Sequence, residues 1–144
     1  AAFDVVLNLF TSFGFFASEQ EHQQAVSAAA AALRPGGYLV MDFFNTYKVI
    51  DSLVQENTTS RQGIDFLQRR YLEEGVIVKD ILFEDGGRAF HFQERVAALE
   101  EADFRRYFRA AGLQVVHLFG DYDLGFFRRE SSDRMIFIVR LGGA

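Results

Sequence analysis

Few side chains in this sequence are suited to chemistry, and several of them sit where an apolar run ends. Asp42 and Asn45 close the run Tyr38-Leu39-Val40-Met41-Asp42-Phe43-Phe44. Asp121 and Asp123 flank Tyr122 in a segment rich in charge and aromatics. Carboxylates and amides at such positions can hold a polar ligand, but Asn45 equally caps the helix that follows. Asp121 and Asp123 equally serve a turn. The three histidines, His22, His91 and His117, are far apart, and none pairs with a carboxylate at ligand spacing, so no metal is expected. His91 could act as a general base toward an amine or hydroxyl, although a surface or packed histidine is the plainer reading. Arg69, Arg70 and Arg95 could bind an acidic group, or form a solvated face with Glu73, Glu74 and Glu94. No cysteine is present, so disulfides, thiolate metal sites and a thiol nucleophile are excluded.

The elements that position these residues follow from periodicity and punctuation. Phe3-Asp4-Val5-Val6-Leu7-Asn8-Leu9 reads as a strand apolar on both faces, the pattern of a strand inside a sheet. An aromatic loop follows, through Phe10, Phe13, Phe15 and Phe16. Ser18 with Glu21 three residues on marks a helix N-terminus. That helix runs to about Leu33, with Ala25, Ala29, Ala32 and Leu33 on one face. Pro35 ends it, and Gly36-Gly37 turns the chain into a strand over 38–44. A short helix is expected from about Thr46 to Gln55, and 55–63 reads as a polar loop.

The middle of the chain alternates over 64–73, 76–84 and 88–97, broken by Glu74-Gly75 and Asp85-Gly86-Gly87. These are hairpin signals, so an antiparallel meander is expected. A helix over 100–111 follows, with Gly112 at its C-terminal cap. Strands are expected over 113–119 and 135–141, joined by a loop or hairpin connection. His22 is expected on an exposed helix start and His117 in a buried strand.

The 144 residues suit one domain or part of one. The net charge is −5, and only Lys48 and Lys79 are lysine among fifteen basic residues. No basic tract appears, so nucleic acid is not an expected partner. No apolar run reaches membrane-spanning length, so no membrane contact is expected. A soluble bacterial cytoplasmic protein is the default expectation.

Five ordered signals resemble a known family: the Phe3-Asp4 strand with its aromatic loop, the Ala-rich helix with Leu33-Arg34-Pro35-Gly36-Gly37, the strand ending in Asp42, the meander, and the Ala110-Ala111-Gly112-Leu113 helix end before two closing strands. Together they resemble the C-terminal half of class I S-adenosylmethionine-dependent methyltransferases of the small-molecule type. Phe90-His91-Phe92-Gln93-Glu94 and Phe119-Gly120-Asp121-Tyr122-Asp123 also have counterparts there.

The resemblance implies an α/β, Rossmann-like half-sheet holding that fold's strands 4, 5, 7 and 6, with an inserted antiparallel meander. Residues 1–144 would form a single partial domain: 1–56 strand, helix, strand and helix; 64–97 meander; 98–144 helix and closing strands. The family's glycine-rich cofactor turn has no counterpart here, since no Gly-x-Gly occurs in the sequence. The N-terminal half of the domain is therefore expected to be missing, and the chain alone inactive.

By this resemblance Asn8, Leu9, Phe10 and Thr11 would contact S-adenosylmethionine. Phe13, Phe43, Asn45, Tyr122 and Phe126 would face a small-molecule substrate, a methyl-accepting amine or hydroxyl. Aromatic faces suit a sulfonium or ammonium, though in so Phe-rich a chain most are core. The expected partner is the missing half or a second copy, meeting the strand over 3–9. Two alternatives stand: a non-enzymatic assembly module pairing through that strand, and a small-ligand-binding α+β domain unrelated to methyl transfer.

Overall fold

The computed structural model describes residues 2–15, 18–53 and 56–143. The elements run β1 (Phe3–Asn8), α1 (Glu19–Ala32), β2 (Leu33–Phe44), α2 (Thr46–Asp51), β3 (Glu56–Arg61), β4 (Ile64–Glu73), β5 (Val76–Asp85), β6 (Arg88–Ala97), α3 (Glu101–Ala110), β7 (Leu113–Phe119) and β8 (Arg134–Leu141). They divide into two compact units, residues 1–49 with 99–144, and residues 50–98.

The first unit is a four-stranded sheet in the order β1-β2-β8-β7. β1 and β2 are parallel, joined by α1 as a crossover, and β8 is antiparallel to both β2 and β7. This is the expected α/β half-sheet. Helices α1 and α3 contact one another, and between them they contact β1, β2 and β7. The core forms beneath them: Leu39, Met41 and Phe43 of β2, Met135, Phe137 and Val139 of β8, and Phe104, Tyr107 and Phe108 of α3. Each fully buried Phe of this set contributes about 2–3 kcal/mol. Phe104 is the hub, with ring centroids 5.2 Å from Phe43 and 5.1 Å from Phe137.

Ser18 caps α1 by accepting from the Glu21 N–H at 3.2 Å. The stripe that α1 buries is His22, Val26 and Ala30, one residue offset from the Ala25–Ala29–Ala32 face read from the sequence. An Ala run carries no periodicity, so only the capped start and Val26 set the phase. His22 is thus buried and not exposed, packed between Phe13 and Tyr107 with centroids at 5.5 and 6.1 Å. His117 is exposed and not buried, because β7 is an edge strand whose register shifts between Val115 and His117.

β1 also lies at an edge, bonded to β2 alone. Phe3, Val5 and Leu7 on one of its faces are 57%, 50% and 61% exposed. β2 begins at Leu33, earlier than the Tyr38 expected, and runs through Pro35-Gly36-Gly37. Gly37 is required there: a Cβ would stand 2.9 Å from the backbone oxygens of Asp4 and Arg34.

The second unit is the meander, order β3-β4-β5-β6, antiparallel throughout. The segment read as a polar loop, 55–63, contains strand β3. Its sequence, Glu56-Asn57-Thr58-Thr59-Ser60-Arg61, has no apolar residue, so alternation could not reveal an edge strand held by backbone pairing. α2 ends at Asp51, and the expected continuation includes Val54 and Gln55, which lie outside the described residues. The meander and the first sheet share no strand, and the chain divides into a sheet unit and a meander unit.

Candidate functional site at the strand ends

β1, β2 and β7 run in one direction and β8 in the other. The ends of the first three and the start of β8 therefore share one edge of the sheet. Open α/β sheets bind ligands at this edge, outside the carboxyl ends of their parallel strands.

Asp42 is fully buried at this edge, near the end of β2. Its Oδ2 accepts from the Phe10 N–H and the Tyr122 hydroxyl, both at 2.8 Å. Its Oδ1 accepts from Arg134 Nε at 2.9 Å. Arg134 Nη2 also donates to Thr11 Oγ1 at 2.9 Å, and the same oxygen accepts from the Phe44 N–H at 3.0 Å. One carboxylate and one guanidinium thus tie together the loop after β1, the end of β2, the start of β8 and the Tyr122 loop. Desolvation, and then the bond to Asp42, raises the Tyr122 phenol above its ordinary pKa.

The loop after β1 needs that support. Phe10 and Thr11 have φ of 59° and 54°, a left-handed pair that L-residues adopt at about 1–2 kcal/mol each. The Thr11 N–H donates to the Asp42 carbonyl at 3.0 Å, so both strained residues are held by Asp42. The result presents Phe10 to solvent at 74% exposure, edge-to-face with Tyr122 at 6.2 Å. The Arg134 guanidinium lies 5.6 Å from the Tyr122 ring centroid.

Asn45 anchors the base of the segment 120–133. Its Nδ2 donates to the Arg129 and Ser132 carbonyls at 2.9 and 2.8 Å, and its N–H to the Asp133 carbonyl at 3.1 Å. Its Oδ1 accepts from the Tyr47 N–H at 3.2 Å, a local cap of α2. Lys48 adds an ion pair to Asp133 and a bond to the Ser131 carbonyl. Asp121 Oδ1 accepts from the Asp123 and Gly125 amides at 2.9 and 3.1 Å, the turn chemistry weighed for it.

Of the residues singled out from the sequence, Phe10, Thr11 and Tyr122 converge on Asp42. Asn8 lies beside them, its Oδ1 accepting from the Ser12 hydroxyl at 2.9 Å, and Leu9 is half-buried. Phe126 belongs to the same segment as Tyr122 and is 86% exposed, bridged to Phe119. Phe13 and Phe43 are buried in the core, against Phe104. His91 lies in the meander unit. Its Nε2 is 2.9 Å from Asp80 Oδ1, which also accepts from Gln93. Those two bonds hold the Asp80 pKa below the ordinary carboxylate value, Gln93 the larger cause.

Sequence reasoning missed Arg134 and the Asp80 partner of His91. Both had signals. Arg134 opens an apolar run antiparallel to β2, which puts it at the strand-end edge. Asp80 follows from counting back from the Asp85–Arg88 turn, which sets Asp80 diagonal to His91 on one face.

No protein-family model matches the sequence, and no curated protein sequence matches it. Solved structures do match. An S-adenosylmethionine-dependent methyltransferase from Clostridium acetobutylicum superposes with a TM-score of 0.84 at 19% identity, covering 99% of this chain and 59% of that one. The CcbJ methyltransferase from Streptomyces caelestis gives 0.80 at 18% identity, covering 97% and 61%. The sugar N-methyltransferase KedS8 from Streptoalloteichus gives 0.69 at 24% identity, covering 98% and 57%. The fold is that of the S-adenosylmethionine-dependent methyltransferases. This chain spans about three-fifths of the length of the solved structures it matches.

The described residues fit one wall of a cofactor site. Phe10 and Tyr122 offer exposed ring faces at the strand-end edge. Asp42 is committed to Arg134, Tyr122 and Phe10, so it is not free to bind a ribose or an ammonium. Nothing among the described residues forms a glycine-rich turn for the nucleotide end.

Proposed function

We propose that this chain is the C-terminal portion of an S-adenosylmethionine-dependent methyltransferase acting on a small-molecule amine or hydroxyl. The observation that carries the reading is the match of nearly the whole chain to such enzymes, with a braced aromatic loop at the ligand-binding edge. When bound, S-adenosylmethionine supplies an electrophilic methyl group. The chain's own part is positional: Asp42 and Arg134 hold the Phe10–Thr11 loop in one conformation, and Phe10 and Tyr122 form an aromatic wall that excludes water and favours a cation. Asn8, Leu9, Phe10 and Thr11 would face the cofactor; Asn45, through the segment it anchors, sets Tyr122 and Phe126 toward the substrate. Amine acceptors are favoured by the sugar N-methyltransferase among the similar structures. The bacterial sources of those structures favour a bacterial enzyme.

Calorimetric titration with S-adenosylhomocysteine tests this. The 144-residue chain is expected to bind it no better than millimolar, and the chain joined to a segment supplying the remaining strands at micromolar. Micromolar binding by the chain alone overturns the need for a second half. No binding by the joined chain overturns the methyltransferase reading.

A second reading is favoured by β1. Its free edge and the exposed Phe3, Val5 and Leu7 make a template for pairing. The partner is either a chain carrying the preceding strands or a second copy meeting it across a two-fold axis. Light scattering that shows a monomer at high concentration sinks the second copy.

A further inference from the structure

Among the described residues, the two most exposed large apolar side chains are Phe126 and Phe10, and both stand at the strand-end edge. Leu124 and Tyr122, in the same segment as Phe126, are exposed as well. This exposure does not come from slack chain. The Gly120 N–H donates to the Gly125 carbonyl at 2.8 Å, the Leu124 N–H to the Asp121 carbonyl at 3.2 Å, and the Arg134 N–H to the Gly120 carbonyl at 2.9 Å. Leu124 is held at φ 63°, a left-handed conformation that a bulky side chain rarely adopts. A Cβ at Gly125 would stand 2.8 Å from Asp121 Oδ2, so no side chain fits there. Residues 120–126 form a tight, strained turn that carries Leu124 and Phe126 into solvent.

Strand register ties this turn to Asp42. Phe126 bridges to Phe119, Phe119 pairs with Ile136, and Ile136 pairs with Asp42. Residues paired across strands share a face, so these four make one row along the strand-end edge. Asp42 is its one polar member, and Arg134, Tyr122 and Phe10 take up its oxygens. The Asp121 carboxylate is likewise spent on the Asp123 and Gly125 amides. Asp123 is the one carboxylate of the turn left to solvent.

We propose that the turn 120–126 selects the acceptor by its apolar body: Leu124 and Phe126 hold the hydrocarbon or aromatic framework of an amine. The inference rests on the methyltransferase reading and narrows its acceptor class. An amino sugar presents several hydroxyls that need partners, and the polar groups of this row and turn are largely committed inward. The exposed apolar surface stands where open α/β sheets take their ligands. Strands that join at β1 extend the sheet away from this turn, which connects the two strands on the far side of β2.

Two primary amines test it on the 144-residue chain: 2-phenylethylamine, with an apolar body, and glucosamine, with a hydroxylated one. Titration followed by NMR should show the first binding at least about tenfold tighter. Phe126→Ser, at a position open to solvent, should weaken 2-phenylethylamine by about fivefold and leave glucosamine unchanged. Phe126→Leu should retain binding, and Leu7→Ser, on the exposed face of β1, should have no effect. Equal or tighter binding of glucosamine overturns the proposal, as does undetectable 2-phenylethylamine binding. Equal weakening by Leu7→Ser and Phe126→Ser also overturns it, since the amine would then adhere to any apolar surface. Self-association that Phe126→Ser abolishes in light scattering assigns the turn to a second copy instead. Failure of the joined chain to bind S-adenosylhomocysteine strikes the methyltransferase reading and leaves the amine preference of the turn standing.

Discussion

Arg134, the first residue of β8, places its Nε 2.9 Å from the buried carboxylate of Asp42, ninety-two residues earlier in the chain. The pair links an antiparallel strand to the loop between β1 and α1, and Phe10, Thr11 and Tyr122 all bond to it. Asp42 has 1% of its side chain exposed and Arg134 19%, so neither charge can be left alone cheaply.

Asp42→Asn should therefore destabilise the fold by about 3 kcal/mol, since it strands a largely buried guanidinium. Arg134→Met should cost a similar amount by stranding the carboxylate. The double variant should lose much less than the sum of the two. Urea denaturation of the three variants measures this, and strict additivity would show that the two residues act separately.

Asn45→Ala removes two side-chain donors from the carbonyls of Arg129 and Ser132. The global cost should be about 2 kcal/mol. The local effect should be larger: brief trypsin treatment should cut faster after Arg128 and Arg129, because the segment loses its anchor. Unchanged cleavage there would mean that Lys48 and the backbone suffice.

Gly120→Ala has no room. Its Cβ would stand 2.1 Å from the Ser132 hydroxyl oxygen and 2.7 Å from the Ser132 Cβ. The expected loss is about 2 kcal/mol. Ser132→Gly in the same chain should restore part of it, although Ser132 Oγ also accepts from the Arg128 N–H at 2.7 Å. A thermal-melt series of the two single variants and the double variant decides it.

The Tyr107–Glu19 bond makes stability depend on pH at both ends. Tyr107 donates to Glu19 at 2.7 Å, and desolvation, then that bond, raises its pKa well above 10.0. Above pH 10 the unfolded chain ionises while the folded chain keeps the proton, so stability falls as pH rises. The Glu19 pKa lies below its ordinary 4.5, chiefly through the same bond, so its contribution is present above that value and fades as pH falls through the folded value. Tyr107→Phe should flatten both limbs of a plot of urea midpoint against pH. An alkaline limb of unchanged slope would assign the dependence to other tyrosines.

What could be read from the sequence was what periodicity and punctuation encode. The Ser18 cap, the Gly112 terminus and the turns at Glu74-Gly75 and Asp85-Gly86-Gly87 are where local chemistry predicts them. Their backbones confirm it: Gly112, Gly75, Gly86 and Gly87 all have positive φ. β3 escaped because none of its side chains is apolar. The burial of His22 escaped because an Ala-rich helix carries little record of its phase. At the site, Asp42, Thr11 and Tyr122 were noticed singly. Their joining by Arg134 depends on β8 returning antiparallel beside β2, a long-range pairing with no local mark.

That same pairing sets an order of events. In the meander each strand bonds only to its neighbours in sequence, so it can form hairpin by hairpin as the chain is made. The first sheet cannot. β2 pairs with β8, whose residues come some ninety positions later, with the whole meander in between. Until β8 leaves the ribosome, β2 has one open side and the charge at Asp42 has no counterion. The late unit is the one that carries the candidate site, so truncation near the C-terminus should spare the meander and leave the sheet unmade.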